Sequence, residues 1–155
     1  MSAALRHLTY QFGGHKEQLL SYGSEDAATR IFIIPPLFDE MNRIRHTLVE
    51  AMRLLSAQDI AAAMPDLPGS NESALRLSDQ HLDGWREAMA EAGNGFGATH
   101  TFSVRGGCLV DDFNPTLPVM RLSPAKGKSL LSKMIRTRIA GDKESGVATT
   151  TEALH

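Results

Sequence analysis

The sequence predicts an α/β fold with a mixed, mostly parallel sheet and flanking helices. Three observations predict it: an alternating apolar pattern near the N-terminus, two uncharged apolar runs at 31–34 and 60–64, and helical spacing of apolar residues after each run. With 155 residues, 42% of them apolar and 22% charged, the chain is long enough to bury the core of about one domain.

The first predicted elements form a hairpin beside a central strand. Residues 5–12 alternate apolar and polar side chains and end at Gly13 and Gly14, and residues 18–22 fit a hairpin partner. Residues 31–34 are apolar on both faces, which is typical of a strand covered on both sides.

The next elements alternate between helix and strand. Apolar side chains at helical spacing predict a helix beginning near Asp39, with Asp39 or Asn42 as its N-cap. A short strand at 60–64, a helix at 80–92 and a strand at 99–104 follow. This order predicts three parallel strands with right-handed crossovers, and a sheet that ends after the third of them.

Residues 103–107, Ser-Val-Arg-Gly-Gly, lie where a strand turns sharply into a helix. This is the place where a G-x-S-x-G elbow presents a catalytic serine, but the central residue is Arg105. A guanidinium stays protonated and has no lone pair with which to attack a carbonyl. The pattern therefore predicts the backbone of a hydrolase without its nucleophile.

The element order, the Asp-x-x-Gly-x-x-x-Ser turn at 66–73 and the elbow together resemble the N-terminal part of the α/β-hydrolase superfamily. Residues 35–45 are similar to the Pro-Pro-x-x-x-Glu-Met-Asn-x-x-Arg segment of the exosortase A system-associated hydrolases (hydrolase 2 type), and residues 127–138 resemble that group's Gly-Lys-x-x-Leu segment. The resemblance covers about residues 5–140.

The resemblance implies a partial α/β-hydrolase fold and a candidate oxyanion site. Its backbone N–H donors would belong to Leu37 or Phe38 and to Gly106. Complete members of the superfamily are longer and supply an acid and a histidine from later strands. We therefore expect that the usual triad is not completed within these residues.

Arg105 admits two interpretations. Its guanidinium, with Gly106 and the oxyanion loop, could hold a small carboxylate or phosphate. Alternatively, Arg105 is buried and pairs with Asp39, Glu40 or Asp66, which would make it a structural clamp between loops.

Ser103 and Cys108 are the substitute nucleophiles. Ser103 shares the strand face of Arg105 but should lie deeper, so we expect a structural role. Cys108 should lie one turn into the next helix and pack as a small hydrophobic residue.

The remaining composition excludes several functions. The histidines lack the spacing of a metal site, so no metal or cofactor is expected. The one cysteine can form no disulfide within the chain. The sequence shows no secretory signal pattern, which predicts a cytoplasmic location.

Three segments are expected: a core at 1–125, a basic amphipathic helix at 126–140 equivalent to the start of a cap, and a polar, flexible tail at 141–155. Residues 1–120 carry nine basic and fifteen acidic side chains, whereas 121–143 carry seven basic side chains and one acidic side chain. The basic block either packs on its own domain or meets a partner. The expected partners, in order, are a second copy, another protein and a peripheral membrane surface, with nucleic acid excluded because no aromatic residue interleaves the basic run.

These observations favour a non-catalytic binding or accessory protein of exosortase-linked type, with a small anion or acyl compound as its ligand. The alternative is a carboxylic-ester or thioester hydrolase, or a fragment of one. A decayed reading frame without function is the third interpretation.

Overall fold

A computed structural model describes residues 4–71, 73–144 and 146. The chain divides into two compact units, one extending to Pro124 and the other beginning at Ala125.

The first unit contains one six-stranded sheet with helices on both faces. Its strands are β1 (Arg6–Phe12), β2 (His15–Tyr22), β3 (Thr29–Ile34), β4 (Ile60–Pro65), β5 (His100–Val104) and β6 (Val119–Leu122). Its helices are α1 (Asp39–Ser56) and α2 (Leu82–Phe96), with short 3-10 helices at Leu77–Asp79 and Arg105–Val110.

The strand order is β1-β2-β4-β3-β5-β6. β1 and β2 form an antiparallel hairpin, β2 is antiparallel to β4, and β4, β3, β5 and β6 run parallel. The predicted mixed, mostly parallel sheet with flanking helices is therefore confirmed.

The sheet continues beyond the predicted third parallel strand, which corrects the sequence analysis. β6 pairs with β5 in parallel, with Thr101 opposite Val119 and Val104 opposite Leu122. All four residues of β6 are exposed, so it lacks the buried apolar run by which the other parallel strands were recognised.

The α1 face of the sheet carries a continuous apolar core. Leu48 and Met52 of α1 pack there in one buried cluster with Ile33, Met64 and Val104 of three parallel strands. This packing fixes the strand ends from which the candidate site is built.

Helix capping differs from the prediction at α1. Phe38 is the N-cap residue, with φ 60° and ψ −138°, and no side chain caps the helix, so neither Asp39 nor Asn42 has the predicted role. α2 is capped by its preceding residue, because His81 Nδ1 accepts a hydrogen bond of 3.0 Å from the backbone N–H of Gly84.

Within its described residues, the second unit contains helix α3 (Gly127–Glu144). Leu131 and Met134 are exposed on this helix, whereas Ile135 is buried. The helix includes residues 141–144, which the sequence analysis placed in a flexible tail; of the rest of that tail, only residue 146 lies within the described residues. Within the described parts of the chain, no helix combines the length and the apolarity needed to span a bilayer.

Candidate functional site

The candidate site lies at the carboxyl ends of the parallel strands. Residues 35–38 follow β3, the elbow follows β5, and Ser123 follows β6. Because parallel strands end at the same edge of a sheet, these three segments are neighbours. Arg105 contacts Ser123 and, in the first turn of α1, Glu40.

The backbone of the elbow has the sharp turn that its sequence predicts. Arg105 has φ 52°, in the left-handed region, where β5 passes directly into the 3-10 helix. A Cβ atom at Gly107 would lie 2.4 Å from the carbonyl oxygen of Pro35 and 2.7 Å from that of Ile34. Only glycine allows the elbow to pack this closely against the end of β3.

The Arg105 guanidinium bridges two chain segments. Its Nε donates to Glu40 Oε2 at 3.3 Å and its Nη1 donates to the carbonyl oxygen of Ser123 at 3.2 Å. Of the three predicted acidic partners, Glu40 is therefore the one that pairs with Arg105, whereas Asp66 pairs with Arg45.

Arg105 is not buried, contrary to the expectation. Its side chain is 44% exposed, and that of Glu40 is 18% exposed. The elbow turns outward at this residue, so the guanidinium reaches solvent while the residues on either side remain buried.

Strained backbone is concentrated around this ion pair. Phe38, Arg105 and Ser123 are non-glycine residues with positive φ values of 60°, 52° and 47°. Such conformations cost about 1–3 kcal/mol each and persist where the surrounding structure holds them. The same edge therefore carries three strained positions, of which the elbow arginine is one.

Ser103 lies beneath the elbow in a buried polar cluster. Its hydroxyl is fully buried and donates to Asp111 Oδ2 at 2.6 Å. Arg121 binds the same carboxylate with two hydrogen bonds, from Nε at 2.7 Å and Nη2 at 2.9 Å. The hydrogen bonds and charge of Asp111 raise the pKa of Arg121.

Cys108 lies in the 3-10 helix after the elbow rather than one turn into an α-helix. It is partly buried, and its Sγ is 3.3 Å from Ser103 Oγ. Neither Asp111 nor Arg121 was predicted from the sequence, because their ion pair joins residues ten positions apart across a turn and a strand.

Of the predicted oxyanion residues, two are buried and the third packs against a tryptophan. Leu37 and Gly106 are buried, and Phe38 packs against Trp85 with 5.8 Å between ring centroids. Trp85 is itself buried and donates from Nε1 to the carbonyl oxygen of Pro68.

The turn at 66–73 is tied to both α1 and the hairpin. Asp66 Oδ1 accepts from Arg45 Nη1 at 3.0 Å and from Asn71 Nδ2 at 3.2 Å. Asn71 Nδ2 also lies 3.1 Å from Met41 Sδ, and Tyr10 donates its hydroxyl to the carbonyl oxygen of Asp66 at 2.5 Å. Residues 35–45 therefore contact both the elbow and this turn.

A buried carboxyl group, missed in the sequence, lies under the same turn. Glu17 is only 1% exposed; its Oε1 accepts from Ser73 Oγ at 2.9 Å, and its Oε2 has no hydrogen-bond partner within the described structure. Burial raises the pKa of Glu17, while the Ser73 hydrogen bond opposes that shift. Burial and the charges of Glu17 and Asp66 likewise raise the pKa of Tyr10.

Among the described residues, no group of three or more His, Cys, Asp or Glu side chains is arranged to hold a metal ion.

Comparison with solved structures identifies the fold. A predicted CIB-like hydrolase from Thermoplasma acidophilum superposes with a TM-score of 0.61 and 16% identity, over 86% of this chain and 70% of that one. The thioesterase domain from the curacin biosynthetic pathway gives 0.63 and 15%, over 88% and 53%, and a carboxylesterase from Bacillus subtilis gives 0.59 and 17%, over 79% and 44%. The chain has an α/β-hydrolase-like fold and spans between less than half and about two thirds of the lengths of these proteins. Neither a protein-family model nor a curated protein matches the sequence.

Proposed function

We propose that this chain is a non-catalytic α/β-hydrolase-like protein of exosortase-linked type that acts as a binding or accessory protein. One observation carries the proposal: the elbow presents the guanidinium of Arg105, ion-paired with Glu40, where a nucleophile would be presented. Because a protonated guanidinium cannot attack a carbonyl, an acyl-enzyme cannot form at this residue.

The substitute nucleophiles are poorly placed for attack. Ser103 is fully buried and already donates its proton to Asp111, which is itself engaged by Arg121. Cys108 contacts Ser103, and no histidine hydrogen-bonds to either side chain among the described residues. A nucleophile without an adjacent base reacts slowly.

The exosortase link rests on the resemblance of residues 35–45. The contacts of this segment indicate what it does in the fold. Glu40 pairs with the elbow arginine, Met41 is buried beside Asn71, and Arg45 pairs with Asp66. In this proposal, the segment contacts both the elbow and the turn at 66–73 and stabilises their positions. It takes no part in a reaction.

The ligand in this proposal is a small carboxylate or phosphate that exchanges with Glu40. The Glu40 contact uses the Nε donor of Arg105 at 3.3 Å and the Ser123 contact uses Nη1, so neither of these two contacts engages Nη2. Arg121, by contrast, holds the Asp111 carboxylate with two hydrogen bonds of 2.7 and 2.9 Å. A planar oxyanion could bind the guanidinium through two parallel hydrogen bonds.

Thermal unfolding with acetate or inorganic phosphate, compared with chloride at equal ionic strength, tests this ligand. A bound anion raises the melting temperature by mass action. We expect a rise for the unmutated chain, a larger rise for Glu40→Gln, which lacks the competing charge, and none for Arg105→Ala. Arg86→Ala, at a half-exposed arginine paired with Asp83 and Asp112, is the matched control and should keep the rise.

Two results would refute the anion site. The first is an equal rise with chloride and with both oxyanions. The second is a rise that survives in Arg105→Ala. A response to phosphate but not acetate would assign the site to phosphoryl groups, and the reverse would assign it to carboxylates.

A further inference from the structure

A groove runs between the edge strand β1 and helix α2. Its volume is about 550 Å³, which is within the range of ligand-binding clefts. It is lined by residues 7–11 of β1, by Leu19 of β2, and by Glu91, Ala92, Gly95 and Phe96 of α2. The groove therefore joins the edge of the sheet to one face of a helix.

The register of the hairpin determines which backbone groups of β1 reach this groove. Phe12 and His15 close a two-residue turn and face each other, so they form a hydrogen-bonded pair. Hydrogen-bonded and non-hydrogen-bonded pairs alternate along an antiparallel ladder, which makes Thr9 and Gln18 a non-hydrogen-bonded pair. In agreement, the Gln18 carbonyl oxygen accepts from the backbone N–H of Asp66 at 2.9 Å, on the other side of β2.

The same alternation leaves a row of free backbone groups on the outer side of β1. The N–H and C=O groups of His7, Thr9 and Gln11 point away from β2, and among the described residues β1 pairs with no other strand. None of the three is a lysine or a proline, the residues that commonly protect a sheet edge. The backbone of β1 can therefore accept an additional strand.

Side chains on the α2 side of the hairpin give such a strand an apolar surface. Leu20 belongs to the core under α1, so its neighbour Leu19 and the cross-strand partner Leu8 lie on the opposite face. Tyr10 lies on the same face as Leu8. Gly95 of α2 leaves room beside them, because a Cβ atom there would meet no other atom within 4 Å.

The groove also carries a negative charge that no neighbour balances. Glu91 is exposed, and among the described residues its carboxylate has no ion pair or hydrogen bond. Within that part of the chain, no lysine or arginine lines the groove. Charge complementarity therefore favours an occupant with a basic group.

We propose that this groove binds an extended peptide segment of a partner protein, which adds a strand to β1. The outward backbone groups of β1 supply the ladder hydrogen bonds, as in other cases of strand addition. Alternate side chains of the peptide enter the groove, where apolar ones contact Leu8 and Tyr10, and a lysine or arginine pairs with Glu91.

A second copy of this chain fits the groove less well. Antiparallel pairing of two β1 strands about a twofold axis would place both α2 helices on one face of the joined sheet. Each helix would bring a Glu91 to the shared groove, which adds negative charge and no basic partner. A basic peptide neutralises that charge instead.

Fluorescence polarisation with two labelled peptides tests the proposal. The first is Thr-Val-Thr-Lys-Thr-Val-Thr, which presents valine and lysine on one face when extended, and the second has glutamate in place of lysine. We expect saturable binding of the lysine peptide. The glutamate peptide should bind at least about tenfold more weakly, because repulsion replaces a charge-assisted hydrogen bond.

Variants of the chain separate the contributions to binding. Glu91→Lys should reverse the preference between the peptides, whereas Glu87→Lys, at an exposed position of α2 outside the groove lining, should not. Thr9→Pro removes an outward N–H that the pairing of β1 with β2 does not use, and should weaken binding of both peptides. Gly95→Leu should block the groove while favouring the helix.

Any of four outcomes would overturn the proposal. The first is the absence of saturable binding of the lysine peptide up to about 1 mM. The second is a lysine preference that Glu91→Lys retains, and the third is binding that neither Thr9→Pro nor Gly95→Leu weakens. The fourth is sedimentation of the unmutated chain as a dimer that Thr9→Pro dissociates, which would assign the edge to a second copy.

Discussion

Arg105 combines a strained backbone with a side chain that cannot perform the chemistry for which the elbow is known. Its φ of 52° matches the sharp turn of a nucleophile elbow, and Gly107 packs against the carbonyl oxygen of Pro35 to allow that turn. The half-exposed pair with Glu40 contributes only about 0.2–1 kcal/mol to stability. The larger cost of breaking a buried ion pair therefore does not apply to Arg105.

The strain at Arg105 can be measured by comparing two truncations. Arg105→Gly and Arg105→Ala both remove the ion pair, but only glycine adopts positive φ without steric cost. We expect Arg105→Gly to be more stable than Arg105→Ala by about 1 kcal/mol in urea denaturation.

Arg76 provides the control, because it is exposed and has an extended backbone with φ −84°. Glycine should give no advantage over alanine there. An Arg105→Gly variant that is less stable than Arg105→Ala would mean that the elbow backbone is not strained.

At the scale of elements, the turn at 66–73 connects the hairpin to the elbow region through buried polar contacts. Ser73 Oγ accepts from the backbone N–H groups of Gly69 and Leu75 and donates to Glu17. The Ser73 hydroxyl thereby joins the turn to Glu17, whose pKa is raised by burial.

Glu17 should give the turn a pH-dependent stability. Because its pKa is raised in the folded chain, the unfolded chain loses this proton at lower pH. Stability is therefore lost as pH rises from the ordinary glutamate pKa through the raised folded value, by about 1.4 kcal/mol for each unit of the shift.

Urea denaturation at pH 4 and pH 7 tests this expectation against Glu17→Gln, which keeps an acceptor for Ser73 but does not titrate. The variant should gain stability relative to the unmutated chain as pH rises, whereas Glu87→Gln, at an exposed position, should not. An unchanged difference between the unmutated chain and Glu17→Gln at both pH values would contradict the role of Glu17.

For the whole molecule, the sequence predicted the elements that have a strong local pattern. The hairpin, the central strands and both helices of the first unit were found because their apolar periodicity reflects burial on one or two faces. β6 was missed because its four residues are all exposed, and periodicity cannot reveal a strand without a buried face.

The candidate site was predicted less completely, for a different physical reason. The elbow is a local pattern, so Arg105 could be placed at its centre, and Glu40 was one of three acids considered. The Asp111 carboxylate and the Glu17 carboxyl are defined by tertiary contacts with Arg121 and Ser73, which no spacing in the sequence encodes.

The chain has an α/β-hydrolase-like fold, but its elbow presents Arg105 where a nucleophile would be presented. Hydrolysis of short p-nitrophenyl esters and of acyl thioesters by the purified chain tests the consequence directly. We expect no rate above that of the denatured chain, and no change in Ser103→Ala or Cys108→Ala. A rate well above the denatured control that either substitution abolishes would contradict it and would favour an ester or thioester hydrolase with an unconventional nucleophile.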